Sequence, residues 1–296
     1  MINLPLNVNL ANQTYYLMCK QEQYGVAFNI TAATELVEWI DKRMQVIVNT
    51  VEPQLPKRPL NRTEERLWTP PKIQFKKDGT PSAAVLKWFD EVRDGCLGSG
   101  EWYGTKGSQV YKLPRHEPLI DSLPMQLKHH DHLKDWFQKL GWKPTMWNLK
   151  KDKAGKPIRI DGKVVQTSPT FHEGGRLCPN LEQLGEKVAL CTPIIEWLSL
   201  RNRRSVLLNE EKGTGWLNNP RLARDGRLGA ASSGLTNTKR QKHKVVANVP
   251  RVTSTLGKEM RSLFVASGGM VMVGADASGL EARVKGHYTH KFDNGA

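Results

Sequence analysis

The chain has 296 residues, enough for one large domain or two smaller ones with real cores. With 39% hydrophobic and 25% charged residues it is not a disordered chain, and no apolar run approaches the ~20 residues that a bilayer span needs. Lys and Arg outnumber Asp and Glu by 44 to 29, a net charge of +15, which favours a polyanionic partner (nucleic acid first, an anionic membrane surface second) over a basic protein with no such partner.

Met1 to Leu10 has neither a basic stretch nor a long apolar core, so no signal peptide is expected. Cys19, Cys96, Cys178 and Cys191 form no C-x-x-C pair and read as free thiols of a reducing compartment. The expected location is cytoplasmic, with no membrane partner.

Tyr15 to Met18 make an apolar patch, and Gly25 marks a turn. From Thr31 the spacing of Leu36, Val37, Ile40, Met44, Ile47, Val48 and Val51 predicts a helix with one buried face. Asn29 or Thr31 caps its start and Pro53 stops it.

Between Pro53 and about residue 125, prolines break any long element, and cations from Lys57 to Lys77 mix with Trp68, Trp88, Trp102 and Tyr103. This is too long for a plain linker. It reads as an inserted subdomain, either a strand clamp or an irregular surface insertion. Asp90 and Glu91 read as the exposed side of a helix. His129, His130 and His132 invite a zinc reading, but adjacent helical positions face different ways and no Cys stands near.

Leu133 to Leu140 predicts a helix stopped by Gly141 and Pro144. A hairpin is expected around Asp161-Gly162. Leu181, Leu184, Val188, Cys191, Ile195 and Leu198 predict helix, which Pro193 kinks or restarts with Thr192 as cap. Arg201, Arg203 and Arg204 at its end suit either phosphate or the helix C-terminal dipole. Lys239, Arg240, Lys242 and Lys244 form a dense cationic loop suited to phosphate.

The last motif is Met270 to Arg283, MVMVGADASGLEAR. Met270 to Val273 has the length and β-branched content of a buried strand. Ser278 and Gly279 turn the chain, and Leu280 begins a helix that Ser278 can cap. Asp276 then ends a strand beside a helix N-terminus, either as a metal-binding carboxylate or as a turn residue without chemistry.

This wording, continued by Gly286-His287-Tyr288 and Lys291-Phe292-Asp293-Asn294-Gly295, closely resembles the first catalytic palm motif of family A DNA polymerases, in their bacteriophage branch. Other stretches resemble the same family. Tyr24 to Asn29 looks like the joint into the thumb, and Leu140-Gly141-Trp142 with Pro144-Thr145 resembles the return from a thumb insertion. Asp225-Gly226-Arg227-Leu228, Thr238-Lys239-Arg240, Asn248-Val249-Pro250 and the Gly257, Arg261, Phe264 spacing look like its palm motifs. Lys239 stands where the family usually has Gly.

The resemblance implies an α+β fold: a helical thumb with a basic insertion, then part of an antiparallel palm sheet, an incomplete polymerase fold. It divides the chain into a connector and first thumb helix (1–55), the inserted subdomain (56–125), the remaining thumb (126–215) and half a palm (216–296). Asp276 would be a catalytic, metal-bridging carboxylate, with Ala277 lending its carbonyl to magnesium in a two-metal site completed by another chain. Ser278, Gly279, Leu280 and Glu281 would lie against the dNTP, Glu281 excluding a ribose 2′-hydroxyl.

Arg240 and Asn248 would follow the primer-template minor groove, with Lys239, Lys242, Lys244, Arg201 and Arg204 on phosphates. The family's fingers and second metal-binding Asp lie beyond the last residue here. A second polymerase chain is therefore expected as partner, with the chain inactive alone, and a processivity factor is a candidate partner at 56–125. There is no D-x-E for a proofreading exonuclease. The alternative is a non-catalytic DNA-binding or processivity subunit.

Overall fold

The computed structural model describes residues 6–92, 118, 120–153, 155–173, 176–236, 240–247 and 249–293. In chain order the elements are α1 (Leu6–Tyr24), β1 (Val26–Phe28), α2 (Ile30–Val51), β2 (Lys57–Pro59), α3 (Arg62–Trp68), α4 (Ala83–Val92), β3 (Ser122–Pro124), α5 (His130–Lys139), β4 (Trp147–Leu149), β5 (Arg159–Ile160), β6 (Lys163–Val164), β7 (Gln166–Pro169), β8 (His172–Glu173) and β9 (Arg176–Leu177). There follow α6 (Pro179–Lys187), α7 (Cys191–Leu207), α8 (Pro220–Asp225), β10 (Arg227–Leu228), β11 (Ser232–Leu235), β12 (Gln241–His243), α9 (Gly257–Ser262), β13 (Phe264–Val265) and α10 (Leu280–Asp293). The described strands all pair antiparallel, so the chain is α+β. No described helix is long and apolar enough to cross a membrane.

Two compact units emerge. One joins Met1–Ile40 to Arg201–Ala296; the other is Asp41–Leu200. The boundaries fall inside α2 and α7.

The first unit is built on a sheet of order β10-β1-β13. Gly25 admits the chain to β1 with φ +67, and a Cβ there would sit 2.6 Å from the Leu228 carbonyl oxygen, so only glycine fits. Phe28, Trp216 and Phe264 pack edge to face with ring centroids 4.9–5.9 Å apart, each pair worth ~0.5–1.5 kcal/mol beyond its buried area.

The end of α1 is held by two arginines. Arg221 donates to the carbonyls of Glu22, Gln23 and Tyr24. Arg227 donates to Tyr24 and Gly25 and lies 4.2 Å from the Tyr24 ring centroid. These are the acceptors that a helix C-terminus leaves unpaired. The sequence reading missed α1, seeing only the Tyr15–Met18 patch. Its Leu10, Tyr15, Tyr16 and Leu17 are exposed, so no buried stripe announces it.

α2 matches expectation. Asn29 Oδ1 accepts from Ala32 N at 3.0 Å, Val37, Ile40, Ile47 and Val51 are buried, and Pro53 lies in the 3-10 turn that follows.

The second unit holds the proline-rich stretch. β2 pairs with β3 across it, closing its base. Trp68 and Trp88 are only 7% exposed and pack with Val85 and Val92. Their rings are core, which corrects the stacking-clamp reading for these two; an indole stacks on a base only if its face reaches solvent. Trp102, Tyr103 and Cys96 lie outside the described residues. Glu91 is exposed on α4, as expected.

The same unit holds an ion cluster. Arg58 donates to both Glu64 oxygens at 2.6 and 2.7 Å and to His129 Nδ1 at 3.2 Å. Glu64 also closes a capping box with Asn61 at the head of α3. His129 Nδ1 accepts from Gln126 N too, at 3.0 Å, so its ring serves as a structural acceptor.

Further along, Phe137, Trp142 and Phe171 pack together with centroids 5.5–6.3 Å apart. The Asp161-Gly162 hairpin forms as predicted, with φ +49 and +76 joining β5 to β6. Pro193 resolves as a restart: α6 ends at Lys187 and α7 begins at Cys191. The Thr192 hydroxyl does not cap α7 but donates to the Gly185 carbonyl at 3.0 Å.

Candidate functional site

The segment that carries Asp276 lies in the first unit. It leaves the sheet after β13 and is fastened at its root. Arg227 Nη1 donates to Ser267 Oγ at 2.8 Å, and the Tyr24 hydroxyl reaches Met270 Sδ at 3.7 Å.

Beyond that root the expected buried strand is not formed. Residues 270–277 form neither strand nor helix, and Val271 and Val273 are 84% and 85% exposed. The correction has a physical reason. A strand is stable only when a neighbour completes its ladder, and among the described residues none pairs with this one.

The helix after the turn does form. Gly279 turns the chain with φ +61, and α10 starts at Leu280. Glu281 lies in its first turn and His290 and Lys291 in its last, both favoured by the helix dipole. Asp276 is exposed, four residues ahead of α10. Leu280, Val284, Tyr288 and Phe292, spaced by four, are exposed along α10 at 45–80%.

The cationic hairpin meets this helix. β11 and β12 pair antiparallel, with Thr236 N donating to the Arg240 carbonyl at 2.7 Å. Arg240 N donates back to Thr236 Oγ1 at 3.0 Å. From that position Arg240 Nη2 donates to Glu281 Oε1 at 2.6 Å. Lys242 and Lys244 are exposed along the returning strand. The chain beyond is anchored by Trp216 Nε1 on the Val245 carbonyl at 3.1 Å and Arg261 Nε on the Pro250 carbonyl at 2.7 Å. Lys239 and Asn248 lie outside the described residues.

At the end of α7, Arg201 is exposed and Arg203 is buried, donating to the Thr255 carbonyl at 3.1 Å. Arg204 reaches the Leu208 carbonyl and Glu210, each at 3.5 Å. Arg204 thus bonds the carbonyl just past the end of α7, whereas Arg203 ties α7 to the segment ahead of α9. Sequence reasoning missed Arg227 as the residue that roots the candidate segment through Ser267, and Arg221 as its neighbour in holding the end of α1. Their acceptors on α1 lie about 200 residues away, beyond any local pattern.

Magnesium prefers hard oxygen donors and is commonly held by one or two carboxylates with substrate phosphates and water. The Asp276 carboxylate and the Ala277 carbonyl suit it as part of a donor set. Among the described residues no three His, Cys, Asp or Glu side chains converge.

No protein-family model matches the chain. Two curated relatives are DNA-directed DNA polymerases. That of Enterobacteria phage T3 is 26% identical over 97% of this chain and 40% of its own length. That of Escherichia phage T7 is 25% identical over 97% of this chain, again 40% of its own length. The similarity supports a relationship to phage DNA polymerases, and the chain spans less than half the length of these relatives.

Proposed function

We propose that the chain is a polymerase-derived segment, of the family A type, that binds primer-template DNA and contributes Asp276 to a nucleotidyl-transfer site. The observation that carries this reading is an exposed carboxylate ahead of a helix N-terminus whose first turn is bonded to a cationic hairpin, in a chain resembling phage polymerases over nearly its whole length. Residues 216–296 would act as part of a palm, and 1–55 with 126–215 as a thumb. The subdomain at 56–125 would be a docking place for a processivity partner. Fingers, a second metal-binding carboxylate and the rest of the palm would come from further polypeptide.

Asp276 and the Ala277 carbonyl would hold one share of a magnesium pair, which supplies charge neutralisation at the reacting phosphate. The chain's other residues would bind DNA and nucleotide. Arg240, Lys242 and Lys244 offer cations to the duplex backbone, and releasing its counterions favours binding at low salt. The positive end of α10 favours triphosphate oxygens at Ser278 and Gly279. Glu281, one turn on, is placed to meet the sugar.

The test is primer extension with this chain supplied together with the remaining polymerase polypeptide. Asp276→Asn should reduce extension by at least ~10²-fold while leaving duplex affinity within about twofold. Unchanged extension would remove Asp276 from the chemistry. Salt-sensitive duplex binding with no extension by any combination would favour a non-catalytic DNA-binding subunit.

A further inference from the structure

Arg240 and Glu281 were expected to serve two different ligands, the duplex and the nucleotide, yet in the free chain they are bonded to each other. Their contact is one hydrogen bond of 2.6 Å, with 72% of the Arg240 side chain and 79% of that of Glu281 open to solvent. Arg240 stands at the entry to β12, Glu281 in the first turn of α10. Lys242, Lys244, Arg283 and Lys285 follow within a few residues on the two elements, so Glu281 is an acid set among cations.

Resting on the reading of the chain as a primer-template binder, we infer that this pair is a latch that DNA opens. With no nucleic acid bound, Glu281 occupies Arg240 and lowers the positive potential of the hairpin. Primer-template draws Arg240 to its phosphates, where an arginine can donate two parallel hydrogen bonds to one group. Glu281 is thereby released to face an incoming sugar.

The exposure sets the strength. A solvated ion pair shifts an equilibrium by roughly 1.4- to 5-fold, weak enough for a polyanion to displace and large enough to measure. The linkage is reciprocal: a ligand that engages Glu281 raises duplex affinity by the factor by which the duplex raises its own.

The experiment is a titration of a fluorescent primer-template duplex at ~50 mM salt. It compares the unaltered chain with Glu281→Gln, Glu281→Asp, Arg240→Gln and Arg240→Gln/Glu281→Gln. Glu281→Gln should bind ~1.4- to 5-fold tighter. Glu281→Asp keeps the charge but is one methylene shorter and loses the contact, so it should show most of the same gain. Arg240→Gln should bind more weakly, and adding Glu281→Gln to it should gain nothing.

Three results overturn the latch: no gain in Glu281→Gln, a gain that persists without Arg240, or wild-type affinity in Glu281→Asp. The last two would mean that only the net charge of the hairpin matters. Duplex binding absent from the unaltered chain would remove both the latch and the primer-template reading. Normal binding with any of the three results removes the latch alone.

Discussion

Two arginine–glutamate pairs in this chain share the same shortest contact, 2.6 Å, and differ in their surroundings. The Arg58 and Glu64 side chains are 7% and 22% exposed, those of Arg240 and Glu281 72% and 79%. The first is bidentate, backed by His129, the Pro59 carbonyl and the Asn61 backbone, and closes the base of the inserted stretch. The second is a single bond between two exposed elements. Equal distance therefore says nothing about equal role. Enclosure makes a pair structural, because breaking it strands a desolvated charge, whereas exposure makes it exchangeable.

The largest expected effect comes from removing Arg58. Arg58→Ala should destabilise the chain by ~3 kcal/mol in urea unfolding, because Glu64 and His129 lose their shared donor. A cost near that of a surface substitution would break the contrast.

Acid is the next lever. The Arg58 guanidinium first, with help from the Asn61 backbone, holds the Glu64 carboxyl down at about 2. A depressed folded value means that the unfolded chain takes up the proton first. The stabilisation is therefore complete above the usual carboxylate range and is lost as pH falls through it toward 2. Glu64→Gln should flatten that part of the pH–stability curve, and an unchanged slope would place the acid sensitivity elsewhere.

His129 sharpens the picture further. Burial, then the Arg58 charge, then Lys128 and His132, lower its pKa, with Glu64 opposing. Its neutral Nδ1 is the acceptor for Arg58 and Gln126, so its contribution is present above ~6.5 and declines as pH falls below that. His129→Gln should remove this decline at a cost of ~1 kcal/mol. Smallest of all, Glu281→Gln should leave unfolding free energy within ~0.5 kcal/mol of the unaltered chain.

Much of the fold was legible wherever the cause is local. The face of α2, its Asn29 cap, the Asp161-Gly162 turn and the break before α7 all follow from side-chain periodicity or from backbone preferences of adjacent residues. The candidate site was legible in part. Residue order alone places Asp276 ahead of a helix and clusters cations in one loop, which the structure shows to adjoin the β11–β12 hairpin. That Arg240 reaches Glu281, 41 positions further on, was not readable.

The apolar run at 270–273 shows the limit most clearly. Its composition suits a buried strand, yet burial is a property of a partner, and the described residues bring none to it. Trp68 and Trp88 err in the opposite direction: their cationic neighbours suggest a surface, while α3, α4 and Ile120 enclose them.

What the residues determined by themselves are the positions of the capped and punctuated helices and an electropositive chain suited to a polyanion; the α+β class was an expectation of the family resemblance. The first two depend on interactions within a few positions or on summed charge. What the tertiary structure alone decided is that Val26-Ala27-Phe28 becomes the middle of a sheet whose other strands begin at Arg227 and Phe264, and that Arg221 and Arg227 hold the end of α1. Such pairings satisfy backbone groups with donors and acceptors from distant segments, and no local pattern specifies which distant segment arrives.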